Sequence, residues 1–265
     1  MHALLGPPPF GIAHRGGAAL WPENTFRAFQ GALGHGITRI ETDAHLTRDG
    51  VVVLSHDPSL ARCAGVARSI MDLTWREVQR ADAGATYSPD GGMTFPFRNQ
   101  GLGVPRLDDV LGTFPGAGLT VDLKARDDGA LARAVWEVIR RACAEDRVAV
   151  GSFSSRRLAA FRACSGGRVP TGAGTREAAS FATRAAIGLA GRDVHEYRVL
   201  ALPGRTRRWA LVTARLVEQA HAAGLQVHVW TVDDPAEMRR LFQLGVDAVM
   251  SDRPDTLAAV LAAPQ

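Results

Sequence analysis

The chain is predicted to fold as an α/β protein, a single eight-stranded (β/α)8 barrel, on three observations. Short β-rich runs alternate with longer helical patterns. The 265 residues, 46% of them hydrophobic, suffice for one large domain with an extensive core. The polar residues with chemistry to offer stand where the runs end, the face on which a barrel's βα loops converge.

Eight runs carry strand character: Phe10 to Ala13, Ile37 to Thr42, Leu119 to Leu123, Val148 to Phe153, Arg168 to Thr171, Arg198 to Leu202, Gln226 to Val232 and Ala248 to Ser251. Helix punctuation divides the chain the same way. Asp234-Pro235-Ala236-Glu237 places an N-cap, a first-turn proline and a reciprocal carboxylate before Met238 to Leu244, and Gly245 ends that helix. Thr74-Trp75-Arg76-Glu77 is a capping box that opens a short helix inside Ser59 to Pro105. That stretch is too long for an ordinary βα loop. Residues 1–265 thus read as one barrel domain, with 59–105 an inserted cap subdomain following the second strand region and hanging over the site. Within it Trp75, Tyr87, Met93, Phe95 and Phe97 are expected to fill the cap's own small core.

Composition excludes several classes of protein. No stretch approaches the roughly 18 apolar residues of a membrane span, and three consecutive prolines stand in Met1 to Phe10 where a signal peptide has an apolar run. A cytoplasmic protein is expected. Cys63, Cys143 and Cys164 are odd in number and widely spaced, which suggests neither a disulfide framework nor a zinc site. The net charge of +4 rests on scattered arginines without interleaved aromatics, so nucleic acid is not indicated as a partner, nor is another protein. The arginine-rich Arg205 to Trp209 segment reads as a solvated helix start.

The strand ends carry the chemistry. Glu41 and Asp43 are two apart, which aims both carboxylates to one side of a strand, and Asp122 and Lys124 repeat that spacing on another. Three such carboxylates repel unless a cation or Lys124 neutralises them, and Ca²⁺ or Mg²⁺ accepts oxygen ligands of this kind. Lys124 is the only lysine in the chain, a compact ammonium where every other basic position is arginine. Of eight histidines, His2, His35, His195 and His221 read as background, and His45 and His228 as intermediate. His14 and His56 each end an apolar run and are followed by a charged residue, Arg15 or Asp57. An imidazole carries protons near neutral pH, Arg15 offers a planar fork for phosphate oxygens, and Gly16 and Gly17 let the backbone approach a ligand.

The run from His14 to Asp57 closely resembles the glycerophosphodiester phosphodiesterases. It carries His14-Arg15-Gly16, Pro22-Glu23-Asn24-Thr25, Glu41-x-Asp43, Leu46-Thr47-Arg48-Asp49-Gly50 and His56-Asp57. The insertion at Ser59 to Pro105, Val229-Trp230-Thr231-Val232, and Gly245-Val246-Asp247 through Asp252-Arg253-Pro254-Asp255 are similar to later parts of that family, the likeness thinning between Ser154 and Leu202. The resemblance implies a TIM-type barrel that binds one divalent cation, Ca²⁺ or Mg²⁺, and hydrolyses a small glycerophosphodiester to glycerol 3-phosphate and an alcohol. It implies Glu41, Asp43 and Asp122 as metal ligands, with His14 and His56 sharing general acid and base duty. Arg15 and Lys124 would contact phosphate, Glu23 and Asn24 would support the site, and Trp230 would wall the glycerol side. Two positions depart from the family: Asp122 stands where Glu is usual, and Asp233 where Asn is common. The alternatives are a lysophospholipase D or phospholipase-type enzyme acting on a lipid, and a barrel that binds a phosphorylated ligand without cleaving it.

Overall fold

The structure, a computed structural model, describes residues 5–124, 129–190, 195–204 and 212–263; Arg205 to Trp209 lies outside them. In chain order the elements are β1 (Phe10–Ala13), α1 (Phe26–Gly34), β2 (Arg39–Leu46), β3 (Val52–Leu54), β4 (Ser59–Leu60), α2 (Ala61–Ala64), β5 (Val66–Ser69), α3 (Trp75–Val78) and α4 (Leu107–Thr113). There follow β6 (Gly118–Leu123), α5 (Ala130–Arg141), β7 (Val148–Gly151), α6 (Ser155–Ser165), α7 (Thr175–Ala186) and β8 (Val199–Pro203). The last are α8 (Ala214–Ala222), β9 (Gln226–Trp230), α9 (Pro235–Gln243), β10 (Ala248–Ser251) and α10 (Pro254–Ala262).

Seven parallel strands pair in the order β7-β6-β2-β1-β10-β9-β8. The ring closes between β7 and β8 through two isolated parallel bridges, Val150 to Thr171 and Gly172 to Val199. Gly172 N–H donates to Val150 C=O at 2.9 Å and Arg198 N–H to Thr171 C=O at 2.9 Å, so Thr171-Gly172 takes the place of the fifth of the eight expected strands. The expected run Arg168 to Thr171 is therefore reduced to its end, because Pro170 has no N–H to give a ladder. The second run also differs, continuing to Leu46, where Ala44 to Leu46 pair antiparallel with Val52 to Leu54 of β3. The Leu-Thr-x-Asp-Gly motif is the turn of that hairpin: Thr47 Oγ1 donates to Asp49 Oδ1 at 2.7 Å, and Gly50 N–H to Thr47 C=O at 3.0 Å. The fourth and seventh runs end early, at Gly151 and Trp230, where the chain turns into loops.

Two apolar clusters pack the helices on the sheet. One joins α4, α5 and α6 to β2, β6 and β7, and the other joins α7 to α10 to β8, β9 and β10. Inside the ring, Phe10, Ile12, Ala248 and Met250 fill the lower layers beneath Trp230. A third cluster, Leu60, Ile70, Leu73, Val78, Ala83 and Val104, packs on Val53 and holds residues 59–105 to the barrel. Its core is aliphatic, contrary to expectation. Trp75, Tyr87, Phe95 and Phe97 are half-buried and Met93 is 80% exposed, because most lie in a stretch without strand or helix to close over them. At α3 the capping box forms, with Thr74 N–H donating to Glu77 Oε2 at 2.8 Å. At α9, Asp234 accepts from Ala236 N–H at 3.0 Å, but Glu237 turns to pair with Arg240 instead of reaching back.

His228 lies in the lower barrel, fully shielded, edge-on to Phe10 with ring centroids 5.4 Å apart. Burial, reinforced by the nearby Arg39 guanidinium, pushes its imidazole down to about 3. The unfolded chain titrates near 6.5, so it binds a proton that the folded chain refuses as pH falls below that value. Stability is full above pH 6.5 and is lost progressively toward pH 3. Urea unfolding should show about 2 kcal/mol lost through this residue between pH 7 and pH 5, and His228→Leu should abolish that share; equal losses in both proteins would clear His228.

Candidate active site

The loop after β1 turns sharply at His14–Gly16. Arg15 (φ 49°), Gly16 (φ 83°) and Gly17 (φ 107°) are all left-handed. A Cβ on Gly16 would stand 2.7 Å from the Phe29 ring and one on Gly17 2.8 Å from Pro254, so this turn requires glycine. Arg15 bears its backbone strain because its N–H donates to Glu41 Oε2 at 3.1 Å and its C=O accepts from Asn24 N–H at 2.9 Å. Asn24 is itself left-handed (φ 55°). The turn delivers His14 to the barrel mouth, with Nδ1 2.7 Å from Asp252 Oδ1 and Nε2 3.9 Å from Glu41 Oε2. Burial pulls the His14 imidazole down, but the Asp252 hydrogen bond and the charge of Glu41 outweigh it and hold the group above its ordinary value. Asp252 is fixed by Asp233, whose Oδ1 accepts from Ser251 Oγ at 2.7 Å and Asp252 N–H at 2.8 Å.

β2 and β6 lie in parallel register, with Asp43 opposite Asp122, so the period of two brings Glu41, Asp43 and Asp122 to one corner of the barrel. Each offers a carboxylate oxygen within 4.8 Å of the others. Lys124 Nζ spans two of them, at 3.0 Å from Asp43 Oδ1 and 2.7 Å from Asp122 Oδ2. Asp43 also accepts from Asn24 Nδ2 at 3.0 Å and lies 3.3 Å from Arg15 Nε, while Thr42 Oγ1 donates to Asn24 Oδ1 at 2.6 Å. Burial would raise the Asp43 carboxyl, but Lys124 and Arg15 hold it below the usual carboxylate range. Burial raises Asp122. It also pushes Glu41, with Asp43 beside it, up to about 8. The corner thus has one more acid than its cations neutralise. Three hard oxygen donors with a charge deficit of that sign fit a divalent cation.

His56 stands across the mouth with Nδ1 2.9 Å from Asp57 Oδ1. Arg15 Nη1 donates to Glu23 Oε1 and Oε2 at 3.2 and 3.3 Å. Arg62 ties the two acids together, donating from Nε to Asp57 Oδ2 at 2.6 Å and from Nη1 and Nη2 to Glu23 at 2.8 and 2.6 Å. Trp230 packs edge-on against Phe153 with centroids 5.5 Å apart, and Lys124 Nζ lies 5.5 Å from the Phe153 ring centre. All ten residues singled out in the sequence stand in one connected arrangement: His14, His56, Arg15, Glu23, Asn24, Lys124, Trp230, Glu41, Asp43 and Asp122. Asp252, Arg62 and Phe153 join them. Asp252 was visible as an acid after the eighth run; Arg62 and Phe153 gave no signal beyond residue type. His45 and His228 stay apart, His45 buried with Nε2 3.4 Å from the His56 C=O, and His228 low in the barrel.

A closed parallel barrel with hard oxygen donors and two carboxylate-backed imidazoles at its C-terminal mouth is an arrangement suited to hydrolytic chemistry on an anionic ester. Comparison with known proteins gives the family. The profile of the glycerophosphoryl diester phosphodiesterase family matches residues 14–256. The chain is 36% identical over 256 residues to the probable glycerophosphodiester phosphodiesterase 2 of Mycobacterium tuberculosis, covering 95% of this chain and 90% of that one. It is 28% identical to the human lysophospholipase D GDPD1, over 93% and 84% of the two chains. The crystal structure of a glycerophosphodiester phosphodiesterase from Agrobacterium tumefaciens superposes with a TM-score of 0.76 at 28% identity, over 95% of this chain and 100% of that one. The chain belongs to the glycerophosphoryl diester phosphodiesterase family.

Gly16→Ala should cost about 2 kcal/mol or more in urea unfolding, from a positive φ and a Cβ clash together. An unchanged midpoint would show that the turn relaxes and does not constrain His14 and Arg15.

Proposed function

We propose that this protein hydrolyses glycerophosphodiesters to glycerol 3-phosphate and an alcohol with a divalent cation, Ca²⁺ or Mg²⁺, held by Glu41, Asp43 and Asp122. The observation that carries this reading is the corner of three carboxylates flanked by His14 and His56, each braced at Nδ1 by its own acid. When bound, the cation would withdraw charge from the phosphoryl oxygens. Arg15 and Lys124 add fixed positive charge toward the same oxygens, where it is most effective as charge builds in the transition state.

With Nδ1 engaged, each imidazole keeps Nε2 for proton transfer. One histidine takes the proton of the attacking nucleophile, and the other returns a proton to the departing alkoxide. Glu23 keeps Arg15 in place and Asn24 keeps Asp43, while Trp230, edge-on to Phe153, walls the glycerol side. Residues 1–265 then act as one catalytic domain, with 59–105 as its cap. The substrate of this reading is a small molecule met in the cytoplasm; among the described residues no helix is long and apolar enough to cross a membrane. A lysophospholipid substrate is the second reading, favoured by Phe153 lying 58% exposed at the mouth and by the likeness to the human lysophospholipase D.

Purified protein should cleave glycerophosphocholine faster than lysophosphatidylcholine, lose that activity with chelator, and regain it with Ca²⁺ or Mg²⁺. Asp122→Ala should remove both metal-dependent turnover and the metal titration. Chelator-insensitive turnover would overturn the metal assignment, and the opposite substrate order would favour the lipid reading. Lys124→Arg keeps the charge but replaces the single Nζ shared by Asp43 and Asp122 with a wider planar fork, so kcat should fall by about tenfold or more. Full activity in that variant would refute the need for an ammonium.

A further inference from the structure

We propose that Arg62, from the inserted segment, is a positioning residue that orients His56 through Asp57 and Arg15 through Glu23. The inference rests on the roles proposed above for His56 and Arg15. Its basis is a pair of shared carboxylates. Asp57 gives one oxygen to His56 Nδ1 at 2.9 Å and the other to Arg62 Nε at 2.6 Å. Glu23 receives Arg15 Nη1 at 3.2 Å and the Arg62 fork at 2.8 and 2.6 Å. One planar guanidinium thereby spends three donors on two acids, a geometry a lysine cannot reproduce.

The position of Arg62 is itself set by the inserted segment. It lies in the four-residue helix α2, next to Leu60, which is buried in the segment's aliphatic core, and its C=O accepts a hydrogen bond from Thr86 Oγ1. Without Arg62, the Asp57 carboxylate keeps, among the described residues, only the imidazole it is meant to fix. Glu23 is then left to Arg15 alone and draws that guanidinium away from the phosphate. Residues 59–105 thus act on the chemistry from beneath their own edge, through a side chain that sequence reading passed over.

The competing explanation is an ordinary surface ion pair. The Arg62 side chain is 49% exposed, and exposed pairs contribute little to stability. The two explanations separate cleanly: a surface pair predicts small effects on everything, whereas positioning predicts a large effect on turnover alone.

The experiment uses the cation-loaded protein with glycerophosphocholine and compares wild type, Arg62→Ala, Arg62→Lys, Asp57→Asn and Arg62→Ala/Asp57→Asn. Arg62→Ala should lose about 10- to 100-fold in kcat with KM changed by less than about threefold, while its melting temperature and cation titration stay close to wild type. Arg62→Lys should remain at least about tenfold down. The double variant should lose little more than the worse single one, because both changes break one chain of contacts. Losses that multiply fully, a kcat for Arg62→Ala near wild type, or a melting temperature that collapses with the activity would each overturn the inference. A wild-type protein inactive on the diester would overturn the proposed function and this inference together; an active wild type with an unaffected Arg62→Ala overturns this inference alone.

Discussion

Everything at the mouth of this barrel follows from holding three carboxylates within 4.8 Å of one another where β2 and β6 lie side by side. Burial raises the proton affinity of such an acid, and a like charge beside it adds to the effect, which is why Glu41 stands near 8. Such a corner persists only if the surrounding structure supplies cations and donors. Lys124 bridges two of the acids, Arg15 approaches the third side of Asp43, and the Arg15 N–H meets Glu41. A parallel register slipped by one residue would turn these side chains outward and destroy the corner.

The rest of the site is a second layer of acids serving the first layer of bases. Asp252 braces His14, Asp57 braces His56, and Glu23 braces Arg15; Asp233 braces Asp252 in turn, and Arg62 braces both Asp57 and Glu23. Each brace fixes an imidazole or guanidinium that would otherwise sample several rotamers, and orientation is where much of an enzyme's advantage lies. The strained turn at Arg15 to Gly17 and the left-handed Asn24 belong to the same economy. Their backbone hydrogen bonds to each other and to Glu41 offset conformations that would not persist alone.

Much of this was legible in the residues. Glu-x-Asp and Asp-x-Lys announce side chains sharing a strand face, and β1 and β10 have the bounds their apolar runs suggest. What was not legible depended on partners distant in sequence. Strand β2 runs on to Leu46 only because β3 returns to pair with it, and the fifth strand shrinks to Thr171-Gly172 because Pro170 interrupts its ladder. The aromatics of 59–105 look like a core in sequence, but Leu60, Ile70 and Leu73 reach Val53 first.

The sequence by itself determined the strand and helix alternation, the polar strand ends and the kinds of group gathered there, since periodicity and residue chemistry are local properties of the chain. Apart from the adjacent His56 and Asp57, only the tertiary structure decided which acid faces which base. Asp252 lies 238 positions from the histidine it holds, and Arg62 lies 39 from Glu23. No local pattern encodes such pairings; they arise when the barrel closes and brings loops from opposite ends of the chain to one mouth.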